Sequence, residues 1–242
     1  MQYPRPLVRG RFLGREKRFL VHVRLDDGRA VVAHTNNTGR MTGTLAGDAP
    51  VWLSPQDDPR RTLAWTLELV ETTADTGEGI APGVLVGVNT ALANRLAAET
   101  VAAGLVPGLE GAGEPRREVR CGARGSRIDL LYEPPDAPRV WVEVKNVSLV
   151  RDGHARFPDA PTARGRRHLQ ELMQVVAAGD RAMLMFCVQR GDAQTVGPAD
   201  DIDPEYGQLL RAAVAGGVMV RGAAMAVTPH GIVPARRASV TL

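Results

Sequence analysis

Two neighbouring strand patterns in this chain each carry an acid among apolar residues, and few folds can accommodate that. They are Ser126-Arg127-Ile128-Asp129-Leu130-Leu131-Tyr132 and Val140-Trp141-Val142-Glu143-Val144-Lys145, joined by the proline-containing segment Glu133 to Arg139 that reads as a turn. Strands apolar on both faces belong to a covered sheet, where an ionised group must be paired or put to use. On a hairpin, Asp129 and Glu143 stand side by side. Glu143 and Lys145, two residues apart, project to one face of their strand. Two carboxylates and an ammonium converging at a sheet surface suit one hard divalent cation, Mg²⁺ or Mn²⁺. Such an ion activates water and neutralises a phosphodiester oxygen. The other reading is a solvated Glu and Lys on an exposed strand, against which stand the valines at 140, 142, 144 and 147.

Lys145 is unusual for a second reason. Of 30 basic residues only Lys17 and Lys145 are lysine, the rest being arginine. A compact ammonium at this one strand end is not interchangeable with a broad, permanently charged guanidinium.

The rest of the 242-residue chain divides by pattern. Residues 11 to 73 read as short strands. Arg18 to Leu25 alternates into the turn signal Asp26-Asp27-Gly28, Ala30 to His34 returns, and Val51 to Leu53 and Leu63 to Val70 supply further strands. Such a run without a long helix suits a small OB-like barrel, a fold that often binds oligonucleotides. Residues 74 to 83, with three glycines and a proline, mark a boundary between domains 1–80 and 81–242. A net charge of +3 permits a nucleic-acid partner without requiring one. Basic residues crowd the first domain, Lys17 and Arg18 among them. In the loop Asn36 to Arg40, Asn37 and Arg40 can hydrogen-bond phosphate beside a backbone that Gly39 leaves approachable. An Asx-type turn with an ion-paired Arg40 is the competing reading. Cys121 and Cys187 lack metal-ligand or disulfide-framework spacing, and no apolar run approaches a membrane span, so a reducing cytoplasm is expected.

In the second domain, Asn89 and Thr90 cap a helix running to about Ala103. It places Glu99 in an apolar stripe with Leu92, Leu96 and Ala103, either as a third acid facing the two strand acids or as a core-rim residue. A long loop is expected from Asn146 to Arg166, and its length argues for a role. A helix follows from about Arg167, with Leu169, Leu172, Met173 and Val176 on its core face. Arg164, Arg167 and His168 at its start can meet a phosphate backbone, His168 lying off the apolar stripe. Gln189 and Arg190 end the next strand near the presumed site. No P-loop or Ser-His-Asp pattern is present, and aromatics, at 4%, are too few to suggest a sugar-stacking enzyme.

Five blocks resemble the bacterial and archaeal sugar fermentation stimulation protein A family: His34-Thr35-Asn36-Asn37-Thr38-Gly39-Arg40-Met41, Gly87-Val88-Asn89-Thr90, Ser126-Arg127-Ile128-Asp129, Val142-Glu143-Val144-Lys145-Asn146-Val147 and Phe157-Pro158-Asp159-Ala160-Pro161-Thr162. The resemblance runs from about Leu13 to Ile232. It implies an α/β (α+β) chain with an N-terminal OB-like β-barrel and a second domain similar to the PD-(D/E)xK nucleases, whose αβββαβ order agrees with the helix to Ala103, a strand at Glu118-Val119-Arg120-Cys121, the two acidic strands, the helix from Arg167 and the strand Ala182 to Gln189. It implies a DNA partner, no small-molecule cofactor and no membrane, and it leaves a homodimer open. One departure is that Ile128, not proline, precedes the first acid. On this resemblance Asp129, Glu143 and the Val144 carbonyl hold the metal, Lys145 positions the water and Glu99 assists. The expected activity is a divalent-metal-dependent DNA phosphodiesterase; the alternative is a non-cleaving DNA-binding regulator of sugar (maltose) catabolism genes.

Overall fold

The alternating runs on either side of Asp26-Asp27-Gly28 form the expected hairpin, β2 (Leu20–Leu25) against β3 (Ala30–His34), with Gly28 supplying the left-handed turn residue. The computed structural model describes residues 1–73, 79–121, 126–135 and 137–242. β1 (Val8–Glu16) pairs with β2 and with β4 (Pro50–Pro55), which pairs with β5 (Trp65–Glu71). A parallel contact between His34 and Thr66 joins β3 to β5 and closes the ring in the order β1-β2-β3-β5-β4-β1, the strand order of an OB barrel. Val21, Val23, Leu25, Ala33, Val51, Leu53, Leu67 and Val70 fill it. The sequence boundary at 74 to 83 falls partly on residues outside those described. After it, β6 (Leu85–Gly87) adds to β5, and Gly87 and Val88 donate to Gln189 and Glu68 carbonyls, stitching the two sheets together.

Asn89 caps a 3-10 turn that runs into α1 (Ala93–Ala102). There follow β7 (Arg116–Cys121), β8 (Ser126–Tyr132), β9 (Val140–Val147), β10 (Leu149–Arg151), β11 (His154–Phe157), α2 (Ala163–Ala177), β12 (Arg181–Val188), β13 (Thr195–Pro198), α3 (Pro204–Ala215), β14 (Met219–Thr228) and β15 (Gly231–Val240). The strands make one sheet, β10-β11-β13-β15-β14-β12-β9-β8-β7, in which β9, β12 and β14 run parallel. Every position of β9 except Asn146 is buried, as the apolar run predicted. Val140, Val142 and Val144 pack towards α1, and Trp141 and Val147 towards α2 and α3. Glu143 and Lys145 alternate with Val142 and Val144 and so point to the α2 side.

The loop expected over Asn146 to Arg166 is largely a hairpin of β10 and β11, turned at Asp152 and Gly153, both at positive φ. Its strands are three and four residues long, too short for alternation to show. Buried Leu149, Val150 and Ala155 hold it to the sheet.

Candidate active site

A break in strand pairing creates the site. The β8–β9 ladder pairs Tyr132 with Val140, Leu131 with Trp141 and Leu130 with Val142, and stops one pair before Asp129 and Glu143. The alternation of β8 slips at the same place, since Ile128 and Leu131 share the α2-side core while Leu130 and Tyr132 face α1. With no partner strand there, the Val144 N–H donates to Asp129 Oδ2 at 2.7 Å. N–H and C=O of one strand residue point to the same side, so the Val144 carbonyl also faces the gap. Asn94 on α1 donates through Nδ2 to Asp129 Oδ1 at 2.9 Å. Burial, then the Glu143 charge, pushes the Asp129 carboxyl up to about 6, against the opposing bonds from Val144 and Asn94 and the Lys145 charge.

Glu143, Lys145 and His168 are 2, 8 and 4% exposed. Lys145 Nζ lies 2.5 Å from Glu143 Oε1 and 3.2 Å from His168 Nδ1, and the same His nitrogen contacts Glu143 Oε1. Burial raises the Glu143 carboxyl, but the Lys145 charge and the bonds and charge of Lys145 and His168 outweigh it and hold the group below the ordinary range. Both donors use one oxygen. The other, Oε2, is buried and has no hydrogen-bond partner among the described residues. An orphaned carboxylate oxygen of this kind is costly unless a ligand completes it.

These groups line a cleft of about 630 Å³ between the domains. Its far wall is the barrel loop Asn36 to Gly39, and Arg156, Phe157, Asp159 and Arg164 close the near side. Arg15 shapes the loop by donating to the carbonyls of Arg18 at 2.8 Å and Gly39 at 2.9 Å, and to that of Asn37. Asn37 is itself buried, its Oδ1 accepting from Gly39 N at 3.0 Å, so the Asx-turn reading describes it. Asp159 crosses from the second domain and accepts from Met41 N at 3.0 Å. Gly39 is needed for this approach: a Cβ there would sit 2.6 Å from Asp159 Oδ2. The absent side chain makes room for a carboxylate of the same molecule.

The structure brings Asp129, Glu143, Val144, Lys145, Arg164, His168 and Asn37 to one cleft. It does not bring Glu99, whose carboxylate bonds the Met1 amine at 2.6 Å and Arg95 at 2.9 Å. On a helix, five residues carry a side chain about 7.5 Å along the axis and roughly 140° round it, so Asn94 and Glu99 cannot serve one point. Asn94 takes the place foreseen for Glu99. His168, placed off the apolar stripe by the sequence, is buried: the buried face of α2 runs through His168, Leu172 and Val175, one residue round from that stripe. Their spacing of four and three was the available signal. Arg164 is exposed and donates to His168 Nε2 at 3.3 Å. Arg167 lies 3.9 Å from Glu171, outside the cleft lining. Lys17, Arg18 and Arg40 are exposed on the barrel side, Arg18 and Arg40 lining an adjacent groove. Gln189 and Arg190 are fully buried and structural; Arg190 pairs with Asp192 at 2.6 Å and donates to the Ser148 carbonyl at 2.8 Å, while Gln189 reaches Asn146 at 2.5 Å. The sequence reading missed Glu118, which lines the cleft at positive φ and shares Asn94 with Asp129. The structure sets it opposite Asp129, between the flanking pairs 117–130 and 119–128.

Family models match both halves of the chain, the SfsA N-terminal OB domain over residues 13–88 and the Sugar fermentation stimulation protein RE domain over residues 91–231. The chain belongs to the sugar fermentation stimulation protein family. A sugar fermentation stimulation protein homolog from Geobacter metallireducens is 48% identical over 242 residues, with 100% of each chain covered. Another, from Thioalkalivibrio sulfidiphilus, is 49% identical over 243 residues, covering 100% of this chain and 98% of its own. The solved structure of Pyrococcus furiosus SfsA in complex with Ca²⁺ superposes with a TM-score of 0.86 at 27% identity, covering 100% of this chain and 98% of that one. The family's two-domain plan, an OB barrel followed by a sheet-rich domain with few helices, is therefore the plan of this chain.

Proposed function

We propose that the cleft is the active site of a divalent-metal-dependent DNA phosphodiesterase. The observation that carries this is the buried, unpartnered Glu143 Oε2 beside Asp129 and the open edge of β9 at Val144. These donors fit a hard cation, since two carboxylates and a main-chain carbonyl are the oxygen ligands Mg²⁺ or Mn²⁺ takes while keeping several waters. Among the described residues no group of three or more His, Cys, Asp and Glu side chains is gathered to hold a metal ion, so the proposal rests on two carboxylates and one carbonyl. The relative from Pyrococcus furiosus binding Ca²⁺ supports a cation site in this family.

When bound, the cation supplies charge neutralisation and an acidified water. Asp129 is held in place by Asn94 and the Val144 N–H, and Glu143 by Lys145 and His168, so the ligand oxygens are oriented before substrate arrives. Lys145, at the rim of the pair, holds the attacking water and faces the charge that grows on the phosphate oxygens. Arg164 fixes His168 and with Arg156 presents positive charge to the strand.

The test is incubation of the full chain with duplex, single-stranded and branched DNA in Mg²⁺ or Mn²⁺, against EDTA and against Asp129→Asn, Glu143→Gln and Lys145→Ala. Metal-dependent cleavage lost in all three variants is expected. DNA binding without cleavage on any substrate would overturn the enzyme reading and leave the regulator.

A further inference from the structure

A second groove adjoins the cleft. Thr38 and Gly39 line both, so the two share a wall. The groove, about 460 Å³, is otherwise lined by Arg15, Arg18, Arg40, Ala160 and Pro161, with no acid in its wall. Arg15 is consumed by backbone carbonyls of Arg18, Asn37 and Gly39, which fixes the hairpin tip against the loop. Arg18 and Arg40 are exposed and make no ion pair among the described residues, although most arginines of this chain are paired or bonded. Two uncompensated guanidiniums on a braced frame are a phosphate-binding arrangement. The next residue along the tip, Phe19, is one of the few large apolar side chains left in water, 42% exposed. Its ring lies 6.4 Å from that of His34, which steadies it.

The cleft itself restricts what can enter. Glu143 and Lys145 are nearly inaccessible, so the scissile phosphate must descend between the barrel loop and α2. A space of about 630 Å³ walled on both sides has the size of a small-ligand pocket. Its floor is reached more readily by a nucleotide of a separated strand than by one still stacked and paired in a duplex.

We propose that Arg18, Arg40 and Phe19 form an entry track for an unpaired polynucleotide strand, so that the substrate class is single-stranded or flapped DNA. Phosphates are gripped by the two arginines and one base stacks on Phe19, a sequence-tolerant mode of binding. The proposal rests on the cleft being the phosphodiesterase site, but its binding component does not.

Binding is therefore measured first, by fluorescence anisotropy of the full chain in EDTA, with a labelled thymidine oligonucleotide, the same sequence as duplex, and a flapped duplex. Single strand and flap bind more tightly than duplex. Phe19→Ala weakens single-strand binding by about 5- to 150-fold, and Phe19→Trp restores it. The double variant Arg18→Ala, Arg40→Ala lowers the slope of log affinity against log salt by roughly 1.4, two phosphate contacts' worth. All three side chains are exposed, so thermal melting of the variants remains that of the parent. Equal affinity for duplex and single strand, or single-strand binding untouched by the variants, overturns the track. Cleavage of flapped DNA by the parent in Mn²⁺, reduced by the track variants, supports both readings together. Intact binding with no cleavage of any substrate sinks the phosphodiesterase alone.

Discussion

Replacing Asp129 by Asn is expected to stabilise the metal-free protein, and to do so only above the pH at which the acid ionises. The folded carboxyl sits at about 6 against an ordinary 3.8, chiefly because it is buried and then because Glu143 is beside it. At about 1.4 kcal/mol per unit, ionising it in the folded state costs about 2 to 3 kcal/mol, the lower figure allowing for its partial exposure. The sign follows from proton binding. Well below pH 3.8 both states hold the proton and nothing is lost; from about 4 to 6 the unfolded state gives it up while the folded state retains it, and stability falls; above about 6 the full penalty is present. The introduced amide keeps an acceptor for the Val144 N–H, and the Asn94 amide can turn to face it. For a chain of this size the gain at pH 8 is about 4 to 12 °C in Tm, vanishing near pH 4. Differential scanning fluorimetry from pH 4 to 8 in EDTA measures it. Mn²⁺ at about a hundred times its Kd should stabilise the parent by about 2.7 kcal/mol and the variant little. A shift of constant size at all pH values would refute the raised acid and with it the electrostatic case for a cation.

Lys145→Met should destabilise the metal-free protein by about 3 kcal/mol, because it breaks a buried ion pair and leaves Glu143 with one of its two holders, and chemical denaturation at pH 7.5 reads the loss. His168→Ala frees Glu143 from one of its two holders and should weaken Mn²⁺ binding by about 10- to 100-fold in calorimetry, with the fold kept; unchanged affinity would make His168 a packing residue. Asp159→Ala removes the acceptor for Met41 N, which should cost about 1 to 3 kcal/mol and speed hydrogen exchange across residues 36–41 while leaving β9 protected.

The acids, the lysine and their strands were legible because a buried strand tolerates charge only for cause. Asp129, Glu143 and Lys145 stood out against Ile128, Leu130, Val142 and Val144, and the hairpin between them followed from local turn chemistry. The barrel was legible for a similar reason, since period-two alternation and a Gly turn are written within a few residues. What lay beyond the sequence was set by distance through space. Whether Glu99 or Asn94 reaches Asp129 depends on the rotation of α1 against the sheet, which its capping and core contacts fix together and no local pattern encodes. His168 read as a helix-surface residue because one helical turn is consistent with two neighbouring faces; only the packing of α2 on β9 and β12 chose the one that buries it against Glu143. Gly39 and Asp159 are remote in the chain and touch only because the barrel docks on the second domain. The chemistry of this site was thus set by residue type and strand period, and its membership by the docking of helices and domains, which depends on contacts between segments remote in sequence.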